Sequence, residues 1–424
     1  MQVAGRTIFF GLRAIILTLT ALCRDGETML IGIVGKPNVG KSTFFSAATM
    51  ATAEIANYPF TTIKPNKGMG YVRSKCPHLD FNVKCNPRNS ACENGVRLVP
   101  IELLDVAGLV PDASLGKGLG NQFLDDLRQA DAFIHVVDAS GSTDAEGNAV
   151  KPGSHDPVED LQFLEREINQ WIKGIIMKGF DKLARGAHLE GSKIDQVIYE
   201  RLTGLGVTEA QVSAALRTSE MPPKIIDWKD EDLYRLAANV RKISKPMFIA
   251  LNKADAADPE MIKRLSALDG YMSVPTCAET ELALRRAAKA GLVSYVPGDK
   301  SFKVNDPSKL NANQKKALDF MAHVMSIYDG TGVQKCLEAV TYRLLDQIVV
   351  YPVEDETHLT DHEGRVLPDA HLLRKGSNAR DLAYKVHTDL GDNFIRAINA
   401  RTHRVVGHDH VLENEDVMTI VAKR

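Results

Sequence analysis

The sequence carries almost no excess of charge of one sign: 52 Lys and Arg face 54 Asp and Glu, a formal net charge of -2 over 424 residues. Any attraction to nucleic acid must therefore come from a local basic patch rather than from the molecule as a whole. Cysteine is sparse, with six in the chain, which excludes a disulfide framework and points to a reducing, cytoplasmic compartment. Long apolar runs are missing apart from Ile8 to Cys23, which is broken by Arg13 and too short to span a bilayer comfortably. That stretch resembles a signal-peptide core. A strand and loop begin directly after Met29, however, so residues 1–28 are expected to be an artefactual or disordered extension, with a membrane anchor as the alternative. No Ser-His-Asp or paired-carboxylate arrangement can be justified from spacing. With 25% charged and 44% hydrophobic residues, wholesale disorder is excluded, and the length calls for two or three domains.

What is present is a set of phosphate- and base-reading segments in a fixed order. Met29 to Val34 is a short apolar run without helical period, and it leads into Gly35, Lys36, Pro37, Asn38, Val39, Gly40, Lys41 and Ser42, with Thr43 continuing into a helix-compatible stretch. Such a loop curls so that its backbone N–H groups and the helix N-terminus face an anion. Lys41 would reach the outer phosphates and Ser42 would bind magnesium. Arg97 to Leu104 reads as a buried strand ending in Asp105-Val106-Ala107-Gly108, where Asp105 can hold magnesium through water and Gly108 can offer its N–H to a γ-phosphate. Met247 to Leu251 is a further strand, ending in Asn252-Lys253-Ala254-Asp255. Asp255 can accept from both N1–H and the exocyclic amine of guanine, whereas adenine would leave a buried carboxylate unpaired.

Two weaker segments complete this set. Asn57 to Asn66 contains Thr62, the choice for the hydroxyl that closes over magnesium and the γ-phosphate, with Thr61 second. In Val274 to Glu279, the backbone of Ala278, between Cys277 and Glu279, could meet the guanine carbonyl oxygen. Cys277 stands where serine is more usual, which questions the side-chain contribution but not the backbone contact.

These residues, together with Gly118-Leu119-Gly120-Asn121-Gln122-Phe123-Leu124, make residues 29 to 424 resemble the Obg-related GTPases of the YchF subfamily, in an archaeal-type version. The resemblance implies an α/β P-loop GTPase fold, a mostly parallel sheet with helices on both faces, over 29–152 and 244–345. A helical insertion over 153–243 and a C-terminal β-grasp (TGS) domain over 346–424 complete the expected organisation. Bacterial members typically carry glutamate for the base-reading aspartate and prefer ATP, so the intact Asp255 implies GTP. Leu109 stands where Ras-like GTPases place the glutamine that orients water. Water would then be positioned by backbone, a partner or a monovalent cation. Similar GTPases with asparagine at the position of Asn38 use it to hold potassium, although such an asparagine can also simply stabilise the turn. The expectation is a Mg2+-dependent GTPase binding GTP and GDP, with K+ as a second candidate cofactor; the alternative is a GTP-gated binding module with negligible turnover.

Beyond the site, Pro157 to Lys182 and Ile194 to Leu216 have helical apolar spacing, and a return helix is expected near Leu233 to Ile243. An insertion of this length is normally functional or a separate packing unit. A new region begins at Gln347 to Val353, with a turn at Asp361-His362-Glu363-Gly364, a helix start at Ser377 to Asp381, and strands expected at Phe394 to Ala400, Arg404 to Gly407 and Val417 to Ala422. Arg374, Lys375, Arg380, Lys385, Arg396, Arg401 and Arg404 concentrate positive charge there, and the TGS resemblance implies a ribosome or RNA partner; no DNA or membrane partner is expected. Cys76, His78, Cys85 and Cys92 could ligate zinc, but their spacing matches no common Cys-x-x-Cys pair, and free cysteines also pack as small hydrophobes.

Overall fold

Leu30–Val34 is buried at every position, as expected of an apolar run with no polar face in the interior of a parallel sheet. The protein is described from a computed structural model over residues 29–49, 66–106, 108, 126 and 128–423. The strand pairs in parallel with Ala132–Asp138, placing Val34 opposite His135. Ala132–Asp138 pairs in parallel with Met247–Asn252, placing Asp138 opposite Asn252. The carboxyl ends of these strands therefore lie side by side, which is where an open parallel sheet presents its ligand-binding loops.

Contacts divide the chain into two compact units, Leu30–Lys41 with Leu104–Ser273 and Ser42–Leu103 with Val274–Arg424. In the first, Leu30, Val34 and Phe133 share one continuous core with Leu164, Ile168 and Leu236 of the long insertion. The insertion is thus no separate packing unit, because its helices cover the apolar faces of the sheet strands. Its first helix, Pro157–Met177, is fixed at its start by Asp156, which accepts from the Val158 N–H, and by proline at the first position.

The two long helical stretches expected ahead of the return helix are each divided. The structure has Pro157–Met177 and Phe180–Glu190, then Ile194–Leu202 and Glu209–Thr218, before the return helix Asp230–Ser244. The breaks fall at Gly179, Gly191 and Gly206, all with positive φ, a conformation that ends a helix. Among the described residues no helix is long and apolar enough to cross a membrane. Ile8 to Cys23, Thr61, Thr62, Leu109 and Gly118 to Leu124 lie outside the described residues.

The second unit contains the strand Ala91–Glu93, which pairs antiparallel with the start of Val96–Asp105, placing Cys92 opposite Arg97. It also contains a five-stranded sheet ordered His371–Arg374, Gln347–Val353, Val417–Ala422, Phe394–Asn399 and Arg404–Val406. Gln347–Val353 and Val417–Ala422 are parallel, and the other pairs are antiparallel. Leu382, on the helix Ala379–Val386, packs with Ile348, Val350, Ala397 and Met418 under this sheet. Asn378 and Asp381 form a capping box that sets the start of this helix where the sequence places it. The structure adds to the expected β-grasp elements the strand His371–Arg374 and the helix Thr388–Asp392, both too short to leave a periodic trace.

Candidate nucleotide site

The phosphate loop is held by close backbone packing that leaves no room for side chains at its glycines. Gly35 has φ +148, and a Cβ there would lie 2.5 Å from the Val136 carbonyl oxygen; Gly40 has φ +96, and its Cβ would lie 2.4 Å from Asn252 Nδ2. The second approach exists because Asn252 Nδ2 donates to the Val39 carbonyl oxygen at 2.9 Å, with Val39 and Asn252 both buried. One side chain thus ties the loop expected to take the triphosphate to the loop expected to read the base. Since Met247–Asn252 is two strands away from Leu30–Val34, only the parallel register brings these residues together.

Lys253, the residue after Asn252, adopts φ 57, and its ammonium meets the Asp138 carboxylate at 2.8 Å. Asp138 is buried and also accepts from the Ser140, Ser142 and Thr143 hydroxyls at 2.5, 2.8 and 3.1 Å. Burial alone would raise its pKa, but Lys253 and the hydroxyl donors outweigh it and hold the carboxyl below the usual aspartate range. Asp138 is therefore an anionic hub beneath the loop expected to read the base. The sequence motifs do not single it out, and the signal that could have done so is a carboxylate closing a buried parallel strand.

Lys41 is nearly buried and donates to the Lys36 carbonyl oxygen at 2.8 Å. Burial pushes its pKa below the ordinary lysine value, and the charge of Asp105 opposes that shift. Gly108 lies beside the same ammonium: a Cβ on it would be 3.1 Å from Lys41 Nζ and 3.4 Å from the Pro37 ring. The strand-end residues Asp105 and Gly108 are thereby brought to the phosphate loop, as their positions in the sequence imply.

A second lysine in the loop was not anticipated as part of the site. Lys36 is buried, pairs with Asp160 at 2.8 Å and donates to the Thr143 carbonyl oxygen at 2.9 Å, while His155 Nε2 lies 2.8 Å from the same carboxylate. Asn38 is exposed, with φ 61, and its Nδ2 donates to the Gly147 carbonyl oxygen at 2.9 Å. Residues 139–156 therefore form a loop anchored along Lys36 and Asn38. Behind it, His135 is fully buried with its pKa lowered to about 3, by burial first and then by the charges of Lys41 and Lys36.

Asp255 lies in the short helix Ala254–Ala256 and is exposed. The structure thus differs from the buried carboxylate expected from the sequence. The remaining residues belong to the second unit. Ser42 is exposed and Thr43 half-buried in the first turn of the helix Lys41–Thr49. Cys277 is buried and donates its N–H to the Thr331 carbonyl oxygen at 2.8 Å, Ala278 opens the helix Ala278–Lys289, and Glu279 is exposed.

Family descriptions match three stretches of the chain: a 50S ribosome-binding GTPase over residues 30–176, the G4-motif domain of Obg-like YGR210-type GTPases over 250–355, and a TGS domain over 364–422. An uncharacterized GTP-binding protein of Methanocaldococcus jannaschii is 53% identical over 395 residues, covering 93% of this chain and 99% of the relative. The crystal structure of a GTP-binding protein from Pyrococcus horikoshii is similar, with TM-score 0.74 and 44% identity, over 93% of this chain and 100% of that one. The ribosome-binding ATPase YchF of Haemophilus ducreyi is 28% identical over 413 residues, 91% of this chain and 97% of its own length. With its phosphate loop tied to the Asn252 loop and a TGS module toward the C-terminus of the chain, the protein belongs to the Obg-like GTPases of the archaeal YchF type.

Proposed function

We propose that this protein binds GTP in preference to ATP and hydrolyses it slowly, acting as a nucleotide-controlled switch in the cytoplasm for contact with the ribosome or RNA. The observation that carries the reading is the Asn252 to Val39 hydrogen bond, which couples base recognition at Asp255 to phosphate binding at Lys41. The proposed guanine preference rests on Asp255, since a relative 28% identical over 413 residues is named an ATPase. Lys41 would neutralise charge on the outer phosphates, and the Gly108 N–H beside it would register the γ-phosphate. Thr62 is proposed as the closing hydroxyl of the first switch, and the backbone of Ala278 as a donor to the guanine carbonyl oxygen.

Magnesium suits the hard oxygen donors that these positions offer. Asp105 is a half-buried carboxylate whose charge already acts on Lys41, and Ser42 offers an exposed hydroxyl in the helix first turn. These two residues and Thr62 would hold the ion, which would supply charge neutralisation across the β- and γ-phosphates. Potassium is proposed through Asn38, whose Nδ2 is engaged by Gly147 and whose Oδ1 is the atom that would coordinate it.

Leu109 supports a second reading, because a hydrophobic residue in the place of the water-orienting glutamine also suits a binding module in which GTP only shapes the partner surface. Phosphate release measured with and without ribosomes, in potassium and in sodium, separates the two. The switch reading expects turnover that ribosomes or potassium raise, whereas no turnover under any of these conditions would leave only the binding module.

A further inference from the structure

Away from the nucleotide loops, the second unit gathers three thiols and one imidazole at a single point. Cys76 follows the strand Lys67–Lys75, His78 opens the short helix His78–Phe81, Cys85 lies in the following loop, and Cys92 is in the strand Ala91–Glu93. The Sγ atoms of Cys85 and Cys92 lie 3.3 and 3.5 Å from His78 Nδ1, and the Cys76 and Cys85 sulfurs are 3.9 Å apart. All four candidate ligand atoms lie within 4.8 Å of one another. Zinc bound tetrahedrally at about 2.3 Å from sulfur and about 2.0 Å from nitrogen would set edges of about 3.8 Å between sulfurs and about 3.5 Å between sulfur and nitrogen. The observed separations fall around those edges. Three free cysteines cannot all pair as disulfides, and a packing role for the thiols gives no reason for the imidazole nitrogen to point into their midst.

The charge balance of the hairpin points the same way. Arg97, the cross-strand partner of Cys92, is fully buried, yet its hydrogen bonds go to neutral acceptors, Ser90 Oγ at 3.0 Å and the Leu367 carbonyl oxygen at 2.7 Å. Its guanidinium also lies 5.4 Å from the centre of the Tyr351 ring. Among the described residues no carboxylate pairs with it, although a buried cation without a counter-charge is costly. A divalent metal held by three thiolates and a neutral imidazole carries one negative charge, which matches this guanidinium.

We infer that Cys76, His78, Cys85 and Cys92 form a structural zinc site, and that the metal fixes the loop on which the C-terminal β-grasp domain docks. The metal would be held by three thiolates and by the His78 imidazole through Nδ1. Between the second and third cysteine ligands the chain is laid along 366–370. Asn86 and Arg88 donate their N–H groups to the Val366 and Pro368 carbonyl oxygens at 3.1 and 2.7 Å. The Asn89 side chain exchanges hydrogen bonds with both the N–H and the carbonyl of Ala370. A metal that closes the loop at both ends would hold this strip in its docking conformation.

The test is metal analysis of the full chain purified without chelator, followed by cobalt(II) exchange. The expected result is about one zinc per chain, replaced by cobalt with thiolate-to-metal charge-transfer absorption and the visible bands of a tetrahedral ion. Cys85→Ser and Cys92→Ser are expected to lose most of the metal while retaining GTP binding, and hydrogen exchange at 366–370 should quicken on zinc removal from the wild-type chain. Metal-free protein that also fails to take up cobalt would overturn the proposal. So would zinc retained undiminished in both variants, or iron in place of zinc. The wild-type measurements need no variant to fold.

Discussion

The phosphate loop and the cysteine hairpin both bury cations, but they balance them differently. In and beside the first, the buried or half-buried lysines each have a carboxylate of the chain nearby: Lys36 meets Asp160 and Lys41 feels Asp105 within the loop, and Lys253 in the neighbouring loop meets Asp138. In the hairpin, Arg97 is surrounded by a hydroxyl, a carbonyl and an aromatic ring. A region that is neutral in itself suits a ligand arriving with its own counter-ion, as a nucleotide does with magnesium. A region left with one buried positive charge suits a permanent partner that is negative, and a zinc tris-thiolate centre is one. The contrast teaches that unmatched buried charge, more than ligand spacing, separates a resident ion site from a substrate site.

The strongest way to break this comparison is to unbalance the phosphate loop. Lys36→Met would leave Asp160 buried without its ammonium and is expected to destabilise the protein by about 3–5 kcal/mol, toward the lower figure because His155 remains beside the carboxylate. The double change with Asp160→Leu should recover most of that loss. Urea denaturation measures both, and a single variant as stable as wild type would mean that the pair is not the balancing element argued here.

A smaller effect sharpens the same picture through pH. His135 is kept neutral when folded, with its pKa lowered to about 3, by burial and by the neighbouring lysine charges, Lys41 before Lys36. Below about pH 6.5 the unfolded chain takes up a proton that the folded chain refuses, so stability should fall by about 1.4 kcal/mol per pH unit from this group alone until its folded pKa is reached. His135→Gln should remove one proton from the slope of stability against pH in that window. An unchanged slope would show that the imidazole already carries its proton when folded.

How much of this was legible in the sequence depends on whether the residues of a feature are contiguous. The phosphate loop, the Asp105 to Gly108 strand end and Asn252 to Asp255 were readable because each is a short unbroken motif after an apolar strand, and the structure gathers Lys41, Gly108 and Asn252 as their order implies. The partnership of Lys36 with Asp160 was not, since it joins residues 124 apart through the packing of a helix that no motif marks. The exposure of Asp255 was misjudged because a strand-end motif marks the start of a loop and not what covers it. In the insertion, apolar periodicity continued across Gly179 and Gly206, whose left-handed backbone divides the helices. The Cys76 to Cys92 cluster hid its geometry because a hairpin, rather than sequence spacing, brings its members together.

The central claim, a guanine-selective nucleotide site read by Asp255, is tested most directly by competition between GTP and ATP for the purified chain and for Asp255→Asn. The account predicts that GTP displaces ATP from the wild-type protein. It also predicts that the variant loses about 1–3 kcal/mol of GTP affinity, the cost of leaving buried donors of the base unpaired, while ATP binding changes little. Equal competition by the two nucleotides in the wild type, or a preference for GTP that survives Asp255→Asn, would contradict it.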